Sequence, residues 1–174
     1  MKAKMLLNFF VVTGVLANCF LEAGKYYGIN PYLIYAIAKT ESNLNPYAVE
    51  VISEKKLPLE CPYERKKGKY YYSCFPRNFS EALNIVEIAK EQGANFSVGL
   101  MQINKVWLPV LKKYGYTIRS LLNWCNSVKV GAWILAMCMS VYGNSWKAVD
   151  CYNKGIKGAK EWSQYIETVL KNLK

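Results

Sequence analysis

The chain has no histidine among its 174 residues. That absence removes Ser-His-Asp triads, Cys-His nucleophile pairs and histidine metal sites together. Proton transfer is left to Glu, Asp, Tyr and Lys. No Cys-x-x-Cys occurs either, so nothing calls for a metal or another cofactor. Internal repeats and low-complexity linkers are absent, and the length suits one domain with a core of its own. Acidic residues are few, 12 against 23 basic ones, which leaves a formal charge of +11.

The N-terminal segment reads as a signal peptide over residues 1–17. Lys2 and Lys4 make a basic start, Met5 to Ala17 is largely apolar, and Val15-Leu16-Ala17 offers a small-residue cleavage site. The run is short for a membrane span; left uncleaved, it would hold the protein at the membrane. Leu16-Ala17-Asn18-Cys19 approaches a lipoprotein box, but Asn18 before the cysteine fits poorly. Export to the periplasm agrees with six cysteines, an even count that points to disulfides. Cys61 with Cys74, Cys138 with Cys151, and Cys19 with Cys125 are one pairing among many. Export also makes nucleic acid an improbable partner for the positive charge. An anionic envelope polymer suits it better, and much of the charge sits in Glu64-Arg65-Lys66-Lys67-Gly68-Lys69.

Helical patterns dominate the mature chain. Phe20 to Tyr27 is a short one ended by Gly28, and Asn30-Pro31 then starts the next as cap and first-turn proline. Ser80 is expected to cap a helix that runs to about Glu91 and stops at Gly93. Further helices are expected over Val106–Lys113, Val128–Tyr142, Trp146–Cys151 (capped by Ser145) and Lys157–Asn172, with the nearly apolar Val128–Tyr142 at the centre. The exception is Val51 to about Asn95, an irregular region with Pro58, Pro62 and Pro76. Its Lys69-Tyr70-Tyr71-Tyr72-Ser73 run favours a strand, so a hairpin stapled by Cys61 and Cys74 is expected there.

One acid lies on an apolar helix face. Ile34, Ile37, Ala38 and Glu41 recur at helical spacing. Near a helix C-terminus a carboxylate opposes the macrodipole, and burial against Ile and Ala would favour its protonated form. Glu41 is therefore the candidate general acid.

Three ordered motifs then coincide: Glu41-Ser-x-x-Asn-Pro-x-Ala48, Gly99-Leu-Met-Gln-Ile-Asn104 and Ala148-Val-Asp-Cys-Tyr-Asn153-Lys-Gly155. Together they resemble the lysozyme-like soluble lytic transglycosylases, above all the small members that accompany type IV secretion, conjugation, type III secretion or pilus systems. The resemblance implies a mainly α, goose-type lysozyme-like domain over residues 18–174, with the disulfide-stapled insertion at about 51–95. It implies cleavage of peptidoglycan between N-acetylmuramic acid and N-acetylglucosamine by one Glu, which protonates the leaving oxygen and then helps the muramoyl C6 hydroxyl attack C1, giving a 1,6-anhydro end. It carries the acid onto Glu41, and substrate contacts onto Gln102, Asn104, Tyr152 and Asn153, with Met101 beneath a sugar ring. Gly99 would let the backbone approach the saccharide closely. Glycan strands and components of a secretion, conjugation or pilus apparatus are the implied partners of a monomer.

The chain departs from that pattern at several points. Many members carry a polar or acidic group two residues before Gly99, where this chain has Ser97, expected at most to hydrogen-bond Glu41. Lys154 stands where Ala is common. Ordinary glycosidases place a second carboxylate across the bond; Glu50, Glu54 and Asp150 are loose candidates outside the matched positions. A second acid would suit a hydrolytic muramidase on the same fold. A non-catalytic wall-binding assembly protein is the other alternative, and the intact Glu41 argues against it.

Overall fold

The structure, a computed structural model, describes residues 18–174, so the signal-peptide segment 1–17 lies outside the described residues. The described chain is mainly helical, with one five-stranded antiparallel sheet. It divides into two compact units: the described residues up to Thr40 together with Val128–Lys174, and Glu41–Ser127.

The first unit is all helix. Residues 18–27 form α1, and α2 covers Pro31–Ser42. The Asn30 side chain accepts the Tyr32 N–H at 2.9 Å, which is the expected cap at the start of α2. Ile34 and Ile37 of α2 have no exposed surface, and neither do Ala132 and Leu135 of the long apolar helix, α6 (Trp124–Tyr142). That helix begins four residues before the expected Val128. Asn123 explains the early start, since its side chain accepts the Asn126 N–H at 3.2 Å. Ser145 caps α7 (Trp146–Lys154), which extends one turn past Cys151.

The last helix is shorter than its apolar periodicity suggests: α8 runs from Gln164 to Leu173, not from Lys157. The buried carboxylate of Asp150 sets this boundary. It accepts the Lys160 N–H at 2.8 Å and the Ser163 hydroxyl. Ser163 in turn caps α8 through the Ile166 N–H at 3.3 Å. The chain before α8 thus makes a 3-10 turn at Ile156–Gly158 and then a short non-helical segment anchored on Asp150. The disulfide Cys138–Cys151 ties α6 to α7.

The second unit is built on the sheet, with strands β1 (Val49–Ser53), β2 (Tyr63–Lys67), β3 (Lys69–Cys74), β4 (Asn95–Val98) and β5 (Ile103–Asn104) in the order β2-β3-β1-β4-β5. The expected hairpin is present as β2–β3, and Cys61–Cys74 staples it. The sheet is larger than the hairpin because β1 bridges β3 and β4. Ile52 opposes Asn95, so the two ends of the insertion meet. Alternation separates the two faces. Val49, Val51, Tyr72, Cys74, Phe96, Val98 and Ile103 are buried on one. On the other a row of cross-strand neighbours, Tyr63–Ser73–Glu50–Ser97–Asn104, crosses all five strands.

Helix α3 (Phe79–Glu91) packs on this sheet, capped by Asn78 and not by Ser80. Asn78 accepts the Glu81 N–H at 3.0 Å while Glu81 reaches back to the Arg77 N–H at 2.9 Å, a reciprocal cap two residues upstream of Ser80. The single helix expected over Val106–Lys113 is instead 3-10 turns flanking a four-residue helix α4 (Leu108–Leu111). The side chain of Asn104 accepts the Val106 N–H at 3.0 Å and tightens that first turn. A short helix α5 (Ile118–Leu121), closed by a Thr117–Ser120 capping box, has no counterpart in the sequence pattern. Cys19 and Cys125 are also disulfide-bonded, and no cysteine is free among the described residues. Three disulfides suit an oxidising compartment.

Candidate active site

Glu41 is half-buried in the last turn of α2. The chain beyond it is fixed residue by residue. The hydroxyl of Ser42, itself buried, donates to the Leu100 carbonyl at 2.8 Å. The backbone then leaves the helix through Asn43 and Leu44 at φ 50° and 64°, two left-handed residues in succession with no glycine. Asn45 holds the turn: its side-chain oxygen accepts the Tyr47 N–H at 2.8 Å, and its amide donates to the Pro76 carbonyl at 3.1 Å.

The second motif locks onto the first. The Ala48 carbonyl accepts both the Gly99 N–H at 2.8 Å and the Gln102 side-chain amide at 3.0 Å. That amide also donates to the Gly99 carbonyl at 2.9 Å. Both amide hydrogens of Gln102 are therefore committed to the protein, and only its Oε1 remains to accept from a ligand. Gln102 adopts φ 48° to reach this position. Gly99 has φ 82°, and a Cβ there would stand 2.5 Å from the Leu121 carbonyl oxygen. The close approach that requires glycine is thus to the chain itself; the saccharide contact expected for Gly99 is not the reason for the residue.

Glu41, Ala48, Glu50, Ser73, Phe75 and Gln102 line a small pocket of about 100 Å³. Two of the expected contact residues do not face it. Met101 is fully buried with its N–H on the Ser127 hydroxyl at 3.0 Å, so it packs the core and does not sit beneath a sugar. Asn104 is engaged as a cap, and its amide donates to the Ser97 hydroxyl at 3.1 Å. Ser97 lies on the open sheet face directly opposite Glu50. Tyr152 and Asn153 belong to α7 in the other unit, where Tyr152 is half-buried and Asn153 exposed.

The three loose carboxylates separate cleanly. Glu50 shares the pocket with Glu41. Glu54 is exposed, 2.6 Å from the Lys69 ammonium, and its hydrogen bond and charge raise the pKa of that lysine. Asp150 is fully buried and holds the start of α8.

The family model for the transglycosylase SLT domain matches residues 18–173. The chain belongs to that family. Among curated relatives of this SLT domain, the invasion protein IagB of Salmonella typhimurium is 33% identical over 140 residues, covering 80% of this chain and 63% of its own length. The chain thus spans less than two thirds of IagB. A peptidoglycan-binding-like protein of Escherichia coli O157:H7 is 31% identical over 156 residues, covering 87% of this chain and 73% of its own. The type IV secretion system protein virB1 of Brucella abortus is 29% identical over 110 residues, 63% of this chain and 38% of its own.

In this SLT domain several residues that build the site carry no clear signal in the sequence. Ser42 and Asn45 stand inside the first motif as letters without an evident role. Ser73 and Phe75 reach the pocket only because β3 pairs with β1. Ser127 supports the Met101 N–H from 26 residues away and has no local signal at all.

Proposed function

We propose that this SLT domain is a peptidoglycan lytic transglycosylase with Glu41 as its acid and base. The observation that carries the reading is the mutual lock of the first two motifs, which holds Glu41 and the Oε1 of Gln102 in one pocket. Glu41 in its protonated form gives its proton to the glycosidic oxygen, and the bond between that oxygen and C1 of N-acetylmuramic acid breaks. The carboxylate left behind accepts the proton of the C6 hydroxyl as that oxygen attacks C1. The product is a 1,6-anhydro end, and Glu41 returns to its starting protonation state. No water is consumed, so one carboxylate suffices for both transfers. Gln102 contributes an acceptor for a sugar N–H or O–H. Tyr152 and Asn153 enter through the third motif alone, as polar groups for the substrate.

We assign the place of action to the periplasm and the role to local opening of the wall for an envelope-spanning secretion or conjugation machine. The names of the relatives, an invasion protein and a type IV secretion system protein, support this, as do the disulfides. One observation favours a second reading. Glu50 shares the pocket with Glu41, and a second carboxylate can activate water for hydrolysis. Mass spectrometry of digested sacculi separates the two. Transglycosylation yields muropeptides lighter by one water than the hydrolytic products, and a digest holding only reducing ends would replace the first reading with the second.

A further inference from the structure

The β2–β3 hairpin opens a second groove beside the Glu41 pocket. It measures about 280 Å³ and is lined by Glu50, Tyr63, Glu64, Arg65, Tyr71 and Ser73. Glu50 and Ser73 also line the Glu41 pocket, so the two spaces share a wall and follow one another along the open sheet face. An aromatic pair marks the junction. Phe75 of the first pocket and Tyr63 of the second meet edge to face, ring centroids 6.1 Å apart. Both are exposed, Tyr63 by 68% and Phe75 by 42%, although each is large and apolar enough to be expected in a core. Cys61–Cys74 pins the backbone two residues before Tyr63 to the residue next to Phe75. At the far end the Arg65 guanidinium lies over the Tyr71 ring, 4.8 Å from its centroid, with no carboxylate in salt-bridge range among the described residues.

We propose that this groove is an accessory subsite for the glycan strand that occupies the Glu41 pocket, a proposal that rests on the transglycosylase reading. The Tyr63–Phe75 pair offers ring faces and edges for the apolar side of an N-acetylated amino sugar. The ends of the groove differ in charge, Glu50 at the shared wall and Arg65 at the hairpin. That polarity sets the ligand's direction: neutral sugar atoms over Glu50 and Ser73, and at Arg65 the lactyl carboxylate of a muramoyl unit that carries no stem peptide. Of the four clustered cations Arg65, Lys66, Lys67 and Lys69, Arg65 is therefore the specific one. Lys66 sits over Tyr70 on the opposite face, Lys69 is taken by Glu54, and Lys67 does not line the groove.

The test measures binding of the full mature chain in a Glu41→Gln background, with two probes. One is chitohexaose, which is neutral; the other is a purified muramic-acid-containing hexasaccharide, which carries carboxylates. Arg65→Gln is expected to weaken the anionic probe about fivefold at low salt and to leave chitohexaose unchanged. Tyr63→Ala is expected to weaken both probes about fivefold, and Tyr63→Phe neither. Equal effects of Arg65→Gln on the two probes, or none on the anionic one, overturn the proposal; so does full binding by Tyr63→Ala. Digestion of sacculi by the unmodified protein is scored separately. No digestion, together with the expected binding pattern, overturns the catalytic reading and upholds the subsite. Normal digestion with unchanged binding in the variants overturns the subsite alone.

Discussion

The floor of the Glu41 pocket and the β2–β3 hairpin beside it use polar groups in opposite ways. In the floor, Ser42, Asn45 and Gln102 aim side-chain donors at protein acceptors, and the backbone passes through left-handed Asn43, Leu44, Gly99 and Gln102. In the hairpin, Tyr63, Arg65, Lys66, Lys67 and Lys69 are all exposed, and strand pairing with one disulfide does the holding. A catalytic acid needs a fixed position to within a fraction of an ångström, which hydrogen-bonded, strained backbone supplies. A binding surface needs available groups on a rigid support. The motif letters fall in the first region because almost any change there breaks a bond or a turn. The hairpin has no motif because many sequences make a paired strand.

Glycine substitutions sharpen this contrast most. Gly99 and Gly68 both have positive φ, 82° and 70°. A Cβ at Gly99 meets the Leu121 carbonyl at 2.5 Å, whereas at Gly68 nothing lies within 4 Å. Gly99→Ala is expected to cost about 4 kcal/mol, strain and backbone clash together, and to abolish activity. Gly68→Ala is expected to cost about 1 kcal/mol and spare it. Urea denaturation with a sacculus assay reads both, and equal costs would refute the contrast.

Removing the Cys61–Cys74 bridge by Cys61→Ala and Cys74→Ala comes next, with an expected loss of about 3 kcal/mol. Turnover on a short soluble glycan should survive below the new melting temperature. Thiol alkylation of the native protein should change nothing, since every cysteine is oxidised. Ser42→Ala leaves the buried Leu100 carbonyl without its hydroxyl donor; about 1–2 kcal/mol of stability and a measurable fall in kcat are expected. Lys66→Gln is the smallest change. Stability within about 0.5 kcal/mol and unaltered glycan binding are expected, because its ammonium lies over Tyr70 away from the groove.

Much of the helical frame is legible from caps and periodicity: Asn30, Ser145 and Gly93 mark the boundaries expected of them. Where a helix departs from its pattern, a polar side chain outside that pattern decides. Asp150 holds the segment before α8, and Asn104 tightens the turn after β5. The sheet is half legible. The tyrosine run shows β3 and the cysteines show its staple, but β1 and β4 are short and acquire meaning only by pairing with each other. In the site, Glu41 stands out as an acid on an apolar helix face. Glu50 does not, because its register opposite Ser73 and Ser97 is a property of the sheet. Met101 lies in the core and not under a sugar, since an apolar letter beside Gln102 reads equally as cleft lining or as core.

Glu41, held by the interlocked motifs, is assigned both proton transfers, and its replacement tests that assignment most directly. Glu41→Gln keeps the size and hydrogen-bonding reach of the side chain and removes its proton. Sacculus cleavage by this variant, folded by circular dichroism, should fall about 10²–10⁴-fold while its melting temperature stays that of the parent. Cleavage at the parent rate by the folded variant would contradict the assignment.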